Sequence, residues 1–560
     1  METIRDAPFG QLLRWLTRDR VLLYPEERPD FVLPEPYKNP DTKLPSDTLE
    51  DVEKQEDSKE LGPGPDAGAR DIEEGSEATD HPPVQPQRTN DGCILVNWYS
   101  DDDPANPQNW SSLKKALVTL QICLYTFVVY AGSSIYVPGE ELIMDRFGVQ
   151  YFKASLGLAL YVLAYGLGPL LWSPLSEMPL LGRNIPYIVT FFIFVILCIP
   201  TALVDNLGGL LVLRFLQGFF GSPCLASSGA TMQDIHSLFL LPVFLAAWVS
   251  SAYCGPALGS LLSAFAVTAE DWRWALWEIL WMAGPVFGVM FFFLPETSAD
   301  NILLRRAKRL RKLTNNQAFS SQSEVKQRHL RFHDILVDSL IKPLEITMKD
   351  PAVLFTNVYT ALVYGIYYSF FEVFPLVYPV IYGFSLGLTA TVFVCIIVAC
   401  ILGVSVYYAY LFLYLFPDIM KRGLRAQEHR LVPALFSAFF TTAGLFIFAW
   451  TSRKSVHWIV SVIGLVIYGG SGFITMQCIF IYIPMSYPQY AASLFAANDA
   501  FRSMFAFGSI LFSRAMYLNL GVAKGVTLLA GLSVLGIIGM FVLYFYGANL
   551  RRRSKFALHE

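Results

Sequence analysis

The residues of this 560-residue chain best suited to chemistry are charges standing inside apolar stretches. Arg214 lies in LRFLQG, Glu372 follows a run of aromatics in FFEVFP, and Asn498, Asp499 and Arg502 share AANDAFRS. A guanidinium at membrane depth costs about 2.5–3.5 kcal/mol on insertion scales, so Arg214 is expected to face a cavity or an acidic partner. Snorkelling to the surface is the plainer alternative. Glu372 and Asp499 are the candidates for a carboxylate that takes up and releases a proton as the protein moves. Each has a structural alternative. Arg502, at i+3, can neutralise Asp499 locally, and Glu372 can be solvated near the outer end of its helix.

Three further patterns bear on motion and binding. The segment GLGPLLWSPLSEMPLLGR runs from Gly166 to Arg183. Its Gly166 and Gly168 allow close helix packing, and Pro169 and Pro174 bend the helix. Glu177, Gly182 and Arg183 then form a tight turn whose acid and base can hold helix ends together in one conformation and release them in another. CGPALG at 254–259 places Gly255 and Gly259 on one face with Pro256 between them, a kinked helix suited to sealing or hinging a pathway. Tyr364, Tyr367, Tyr368 and Phe371 are candidates to line a cavity for flat or cationic compounds.

Elements of membrane length must position these groups. Charged residues make up only 16% of the chain and hydrophobic ones 54%, against about a quarter charged for soluble proteins. Apolar runs predict twelve helices, at 114–136, 154–174, 185–204, 207–228, 239–264, 274–294, 352–378, 386–415, 431–451, 457–484, 490–515 and 524–547. The run 386–415 is long, so it is either tilted or extended beyond the bilayer. Lys and Arg concentrate in alternate loops, above all in RRAKRLRK at 305–312, which predicts both termini and that loop in the cytosol.

The expected organisation is a largely disordered cytosolic tail over 1–110, a six-helix bundle over 111–295, a basic cytosolic linker over 296–351, a second bundle over 352–548 and a short cytosolic tail over 549–560. FGQLLRWLT at 9–17 reads as a loosely ordered segment, with an amphipathic surface turn as the alternative. One echo supports duplication: Glu177, Gly182 and Arg183 after the second span match Asp418, Gly423 and Arg425 after the eighth. The eight cysteines form no CxxC pair, and no metal-ligand cluster or phosphate-binding loop is evident. Neither an enzyme nor an ATP-driven pump is indicated.

At these residues the chain resembles the major facilitator superfamily, and within it the fungal twelve-span drug:proton antiporters of the benomyl, methotrexate and azole resistance branch. The resemblance is carried by DPANPQNW (103–110), GSSIYVPG (132–139), YGLGPLLWSPLSE (165–177), LRFLQGFFGSPCLASSG (213–229), CGPALG (254–259), WRW (272–274), LPET (294–297), FFEVFP (370–375) and AANDAFRS (496–503). It implies an all-α fold of two pseudo-symmetric six-helix bundles that exports hydrophobic or cationic drugs in exchange for protons. The proton gradient is then the energy source, with no cofactor and no metal. Arg214 matches the family's membrane-embedded arginine of proton coupling. Gly255, Pro256 and Gly259 match its antiporter motif, and Gly168, Glu177, Gly182 and Arg183 its gating motif. Glu177 stands where Asp is usual, the acid-to-glycine spacing is longer, and Asn184 replaces a common second base. The expected setting is the plasma membrane, as a monomer among lipids with no nucleic-acid partner. Two readings compete: transport of a physiological solute such as a polyamine, and a non-transporting receptor on the same scaffold.

Overall fold

The computed structural model describes residues 2–38, 86–89, 92–327, 332–423, 425–487 and 491–555. Its long apolar runs are helical because lipid offers no partner for a free N–H or C=O, and a helix satisfies both internally. The first half comprises Ser112–Ser134 (span 1), Tyr151–Glu177 (span 2), Asn184–Leu203 (span 3), Leu207–Gly221 continued by Pro223–Ile235 (span 4), Leu241–Ala269 (span 5) and Trp272–Phe293 (span 6). The second comprises Pro351–Tyr382 (span 7), Val394–Tyr410 (span 8), Val432–Thr451 (span 9), Trp458–Ser486 (span 10), Ala491–Leu520 (span 11) and Val522–Arg553 (span 12).

Among the described residues, eleven helices are long and apolar enough to cross a membrane. Span 11 is not one of the eleven. It is 30 residues long, but Asn498, Asp499, Arg502 and Arg514 dilute its apolar character. It nevertheless packs along spans 2 and 7. Side-chain caps fix where several spans begin: Ser111, Asn206, Asp271 and Asp350 each accept from an otherwise free amide of the first turn. Span 8 resolves the ambiguity of its long apolar run. It is preceded by Leu386–Thr391, and it continues through a π turn at Leu411–Leu415 into a helical extension, Phe416–Arg422.

Within the first half, span 1 packs on span 5, span 2 on span 4 and span 3 on span 6. Within the second, span 9 packs on spans 10 and 12, and span 7 on span 11. The halves meet where span 2 runs along span 11 and span 5 along span 8. Advancing each label by six turns the first pair into the second, the relation expected of duplicated halves. The GxxxG face of span 5 makes one of these approaches possible. A Cβ on Gly259 would sit 2.4 Å from the carbonyl oxygen of Ala131 in span 1, and one on Gly255 would sit 2.7 Å from Tyr130 Cβ.

The connector between the halves lies at one end of the bundle, the connector end. It contains the helix Ala299–Thr314 and strand β2 (Phe319–Ser321), paired in parallel with strand β1 (Ile94–Val96) from the N-terminal segment. Here the structure differs from the expected loose tail. Residues 2–38 and 92–110 are folded onto the connector, and Tyr37, Ile94, Val96, Ala307, Leu310 and Phe319 form a small buried core. Acid from the tail meets the basic run. Glu26 pairs with Arg306 at 3.3 Å and Arg309 at 3.1 Å, and Asp103 with Arg306 at 2.6 Å. Burial pushes the Glu26 carboxyl up, but the two guanidiniums outweigh it and hold it below its ordinary value. The segment expected to be disordered, 40–90, lies outside the described residues except for 86–89.

Candidate functional site

Arg214 is fully buried inside the first half. Its guanidinium donates to the carbonyl oxygens of Gly132 (2.8 Å), Ser133 (2.9 Å) and Gly157 (3.2 Å), and lies 4.4 Å from the Tyr161 ring centre and 5.2 Å from that of Tyr136. The expected cavity or acidic partner is therefore replaced by backbone carbonyls and aromatic faces. Those carbonyls belong to the end of span 1 and the second turn of span 2, so one side chain of span 4 ties three helices together. Glu140, just beyond span 1, contributes only longer-range attraction.

Glu372 reaches the seam between the halves. Its Oε2 accepts from the Tyr151 hydroxyl of span 2 at 2.8 Å, and the Tyr151 ring carries the Arg514 guanidinium of span 11 at 3.7 Å from its centre. The residue is fully buried, which removes the solvated alternative. Glu140 lies within electrostatic reach of Glu372, Tyr151 and Arg514. One oxygen of each glutamate, Oε1, is buried without a hydrogen-bond partner. Span 7 leaves the connector end at Pro351, so this cluster lies toward the far end of the bundle.

Three of the four candidate aromatics, Tyr364, Tyr367 and Tyr368, bond across the same seam. The Tyr165 hydroxyl of span 2 bonds to those of both Tyr364 and Tyr368, the latter at 2.9 Å. Tyr368 also meets the Ser133 hydroxyl at 3.2 Å, and Tyr367 donates to the Tyr253 carbonyl of span 5 at 3.1 Å. Phe371 packs between Tyr368 (5.5 Å) and Phe393 (4.8 Å). The tyrosines are thus bonded together across the seam, with Phe371 packed beside them in the second half.

The second carboxylate candidate behaves differently. Asp499 is ion-paired to Arg502 one turn along the same helix, the structural alternative seen in the sequence. Arg502 in turn lies 5.0 Å from the Tyr364 ring centre. Asn498 points into the second half, donating to Asn357 (2.8 Å) and Thr360 (2.7 Å) of span 7. Glu372 bonds across the seam and Asp499 within its own helix.

At the connector end, Arg183 of the turn between spans 2 and 3 feels Glu177 only at longer range and takes its hydrogen bonds elsewhere. Glu177 is exposed. Arg183 instead bonds to Asp234 at the end of span 4 (3.1 Å) and to Ser176 (3.2 Å). Gly168 brings span 2 against Ser222 of span 4, where a Cβ would fall 2.0 Å from the hydroxyl. Glu296 of LPET is the second missed acid. It accepts from the amides of Arg183 (2.9 Å), Asn184 (3.2 Å), Thr297 (3.0 Å) and Ser298 (2.9 Å), joining the start of span 3 to the start of the connector. Gly182 is required there twice over. Its φ is +71°, and a Cβ would lie 2.4 Å from Glu296 Oε2. The left-handed backbone alone costs another residue about 1–2 kcal/mol. Gly182→Ala is accordingly expected to lower the melting temperature in detergent. An unchanged melting temperature in a thermal-shift assay would remove Glu296 as a latch.

The second half repeats this corner with its own pairing. Gly423 also has a positive φ (+75°). Arg425 takes Asp418 at 2.9 Å, and Glu428 holds Arg551 of span 12 through two bonds of 2.9 Å. The echo seen in the sequence is thus real in position, although only the second half uses the acid that the echo named.

Two helical halves, joined by a connector and meeting on a seam of tyrosines and buried charge, define a multi-pass membrane protein with the architecture of a secondary transporter. Residues 122–509 match the Major Facilitator Superfamily, and the chain belongs to it. The MFS-type transporter pyvG of Aspergillus violaceofuscus is 44% identical over 99% of both chains. The cycloheximide resistance protein of Candida maltosa is 37% identical, again over 99% of each. The structure of the proton:xylose symporter XylE superposes with a TM-score of 0.56 over 78% of this chain and 97% of that one, at 12% identity, a likeness of fold alone.

Proposed function

We propose that this protein exports hydrophobic or cationic small molecules in exchange for protons, by alternating access between its two halves. The carrying observation is Glu372, a buried carboxylate of the second half whose hydrogen bond to Tyr151 closes the seam to the first. A proton taken up or released there changes the bond that holds the halves together, which is the requirement for coupling a proton to a conformational step. Relatives named for resistance to cycloheximide and fluconazole support a drug-like cargo. The seam aromatics Tyr364, Tyr367, Tyr368 and Phe371 supply stacking and cation–π surface once the halves part.

In this reading the connector end faces the cytosol, where the basic run 305–312 lies, and the far end with Glu372 faces outward. The protein works as a monomer in the plasma membrane, and Glu296 with Arg183 and Asp234 latches the cytosolic side. The gradient itself is the energy source. Cells expressing the chain are expected to lose drug efflux when a protonophore collapses that gradient. Efflux that persists at full rate after collapse would rule out proton coupling.

A further inference from the structure

The N-terminal helix Pro8–Leu16 has two chemically distinct faces. Its inner face is tied down. Phe9 packs on Phe292 and Phe291 at the connector end of span 6, with ring centres 4.8 and 6.0 Å apart. Arg14 is buried beneath the chain that follows, bonded to Asp19 at 2.9 Å and Glu27 at 2.7 Å. The outer face carries Leu12, Trp15 and Leu16, which are 46%, 75% and 63% exposed. Such a face in water forgoes a favourable burial.

The position of the helix says what covers it. It packs against spans 3 and 6. Those spans present exposed Ile185, Val189, Phe292 and Phe293 to their surroundings near the same end. The outer face thus extends the lipid-facing belt past the last turn of span 6. Arg18 and Arg20 are exposed directly after the helix. Apolar residues and a tryptophan facing one way, with arginines at the border, form the pattern of a helix lying in the plane of a bilayer surface.

We propose that Pro8–Leu16 is a membrane-surface anchor, lying beside spans 3 and 6 with Leu12, Trp15 and Leu16 in the lipid of an anionic leaflet. The anchor is linked to the gate. The Asp6 carbonyl, two residues before the helix, accepts from the Glu296 amide at 3.3 Å. Glu26, farther along the same segment, holds Arg306 and Arg309 of the connector helix. The bilayer surface therefore positions the element that latches the connector end.

The test uses the full chain in nanodiscs of phosphatidylcholine and phosphatidylserine, with p-benzoylphenylalanine replacing one residue at a time. Trp281, 68% exposed on span 6, is the control within the bilayer, and exposed Gln317 is the control in water. Irradiation is expected to give lipid adducts, read by mass, from positions 15 and 281 and not from 317. Lipid adducts from 281 with none from 15 would overturn the proposal. So would attachment of position 15 to a second copy of the chain or to its own connector.

Discussion

Glu372→Gln is expected to uncouple transport from the proton gradient while leaving the folded protein intact. The amide keeps the size and the acceptor oxygen of the carboxylate, so the Tyr151 hydroxyl, now 2.8 Å from Oε2, retains a partner. It cannot take up or release a proton at neutral pH. Uphill export driven by an imposed pH gradient should fall by about tenfold or more, a change of at least ~1.4 kcal/mol in the coupled step. Exchange of labelled for unlabelled substrate across the membrane, which needs no net proton movement, should continue. The same substitution at Asp499 should act otherwise. Its loss leaves the Arg502 guanidinium buried without its anion, so Asp499→Asn is expected to lower stability and exchange together. Uphill export by Glu372→Gln at the normal rate would move the proton to another group.

Arg214→Lys is the second change with a large expected effect. Charge is kept, but the planar fork that reaches Gly132, Ser133 and Gly157 on two helices is lost. A single ammonium on a shorter stem cannot satisfy carbonyls set around three sides, and each buried acceptor left alone costs about 1–3 kcal/mol. Transport should drop by about tenfold or more with surface expression near normal, measured as efflux per molecule at the cell surface. Arg214→Ala should go further and reduce the amount of folded protein. Full transport by the lysine variant would assign Arg214 a packing role only.

Much of this architecture was legible because lipid imposes strict rules on sequence. Helices that must satisfy their own backbone over the bilayer thickness leave apolar runs, and most span ends fall within five residues of those runs, the exceptions being the start of span 8 and the ends of spans 4 and 12. Span 11 shows why the pattern still blurs. Its seam-facing and half-facing residues are polar, so by composition it falls short of the other eleven. Local pairings were readable where both partners share a helix or a turn, as with Asp499 and Arg502 or Asp418 and Arg425. The pairings that cross helices were not. Arg183 feels Glu177 at longer range but bonds to Asp234, 51 positions away, and Glu372 finds Tyr151, 221 positions away. Nothing in linear spacing encodes those distances. Glu140 and Glu296 stood beside or inside the quoted motifs GSSIYVPG and LPET, which were the only signals available for them. The folded parts of the tail, 2–38 and 92–110, were hidden for a related reason. Glu26 beside Glu27 and Asp103 at the end of Asp101–Asp103 lie far from the basic run in sequence, and only the folded connector gathers Glu26 and Asp103 around Arg306.

Coupling in this protein depends on a proton moving at a carboxylate that joins the two halves. Its most direct test is transport by purified protein in proteoliposomes, oriented and loaded with a hydrophobic cation, under an imposed pH gradient. Export against the concentration gradient, accompanied by proton movement in the opposite direction and lost in Glu372→Gln, is the predicted result. Substrate flux that is indifferent to the pH gradient in both the wild-type protein and the Glu372→Gln variant would contradict it.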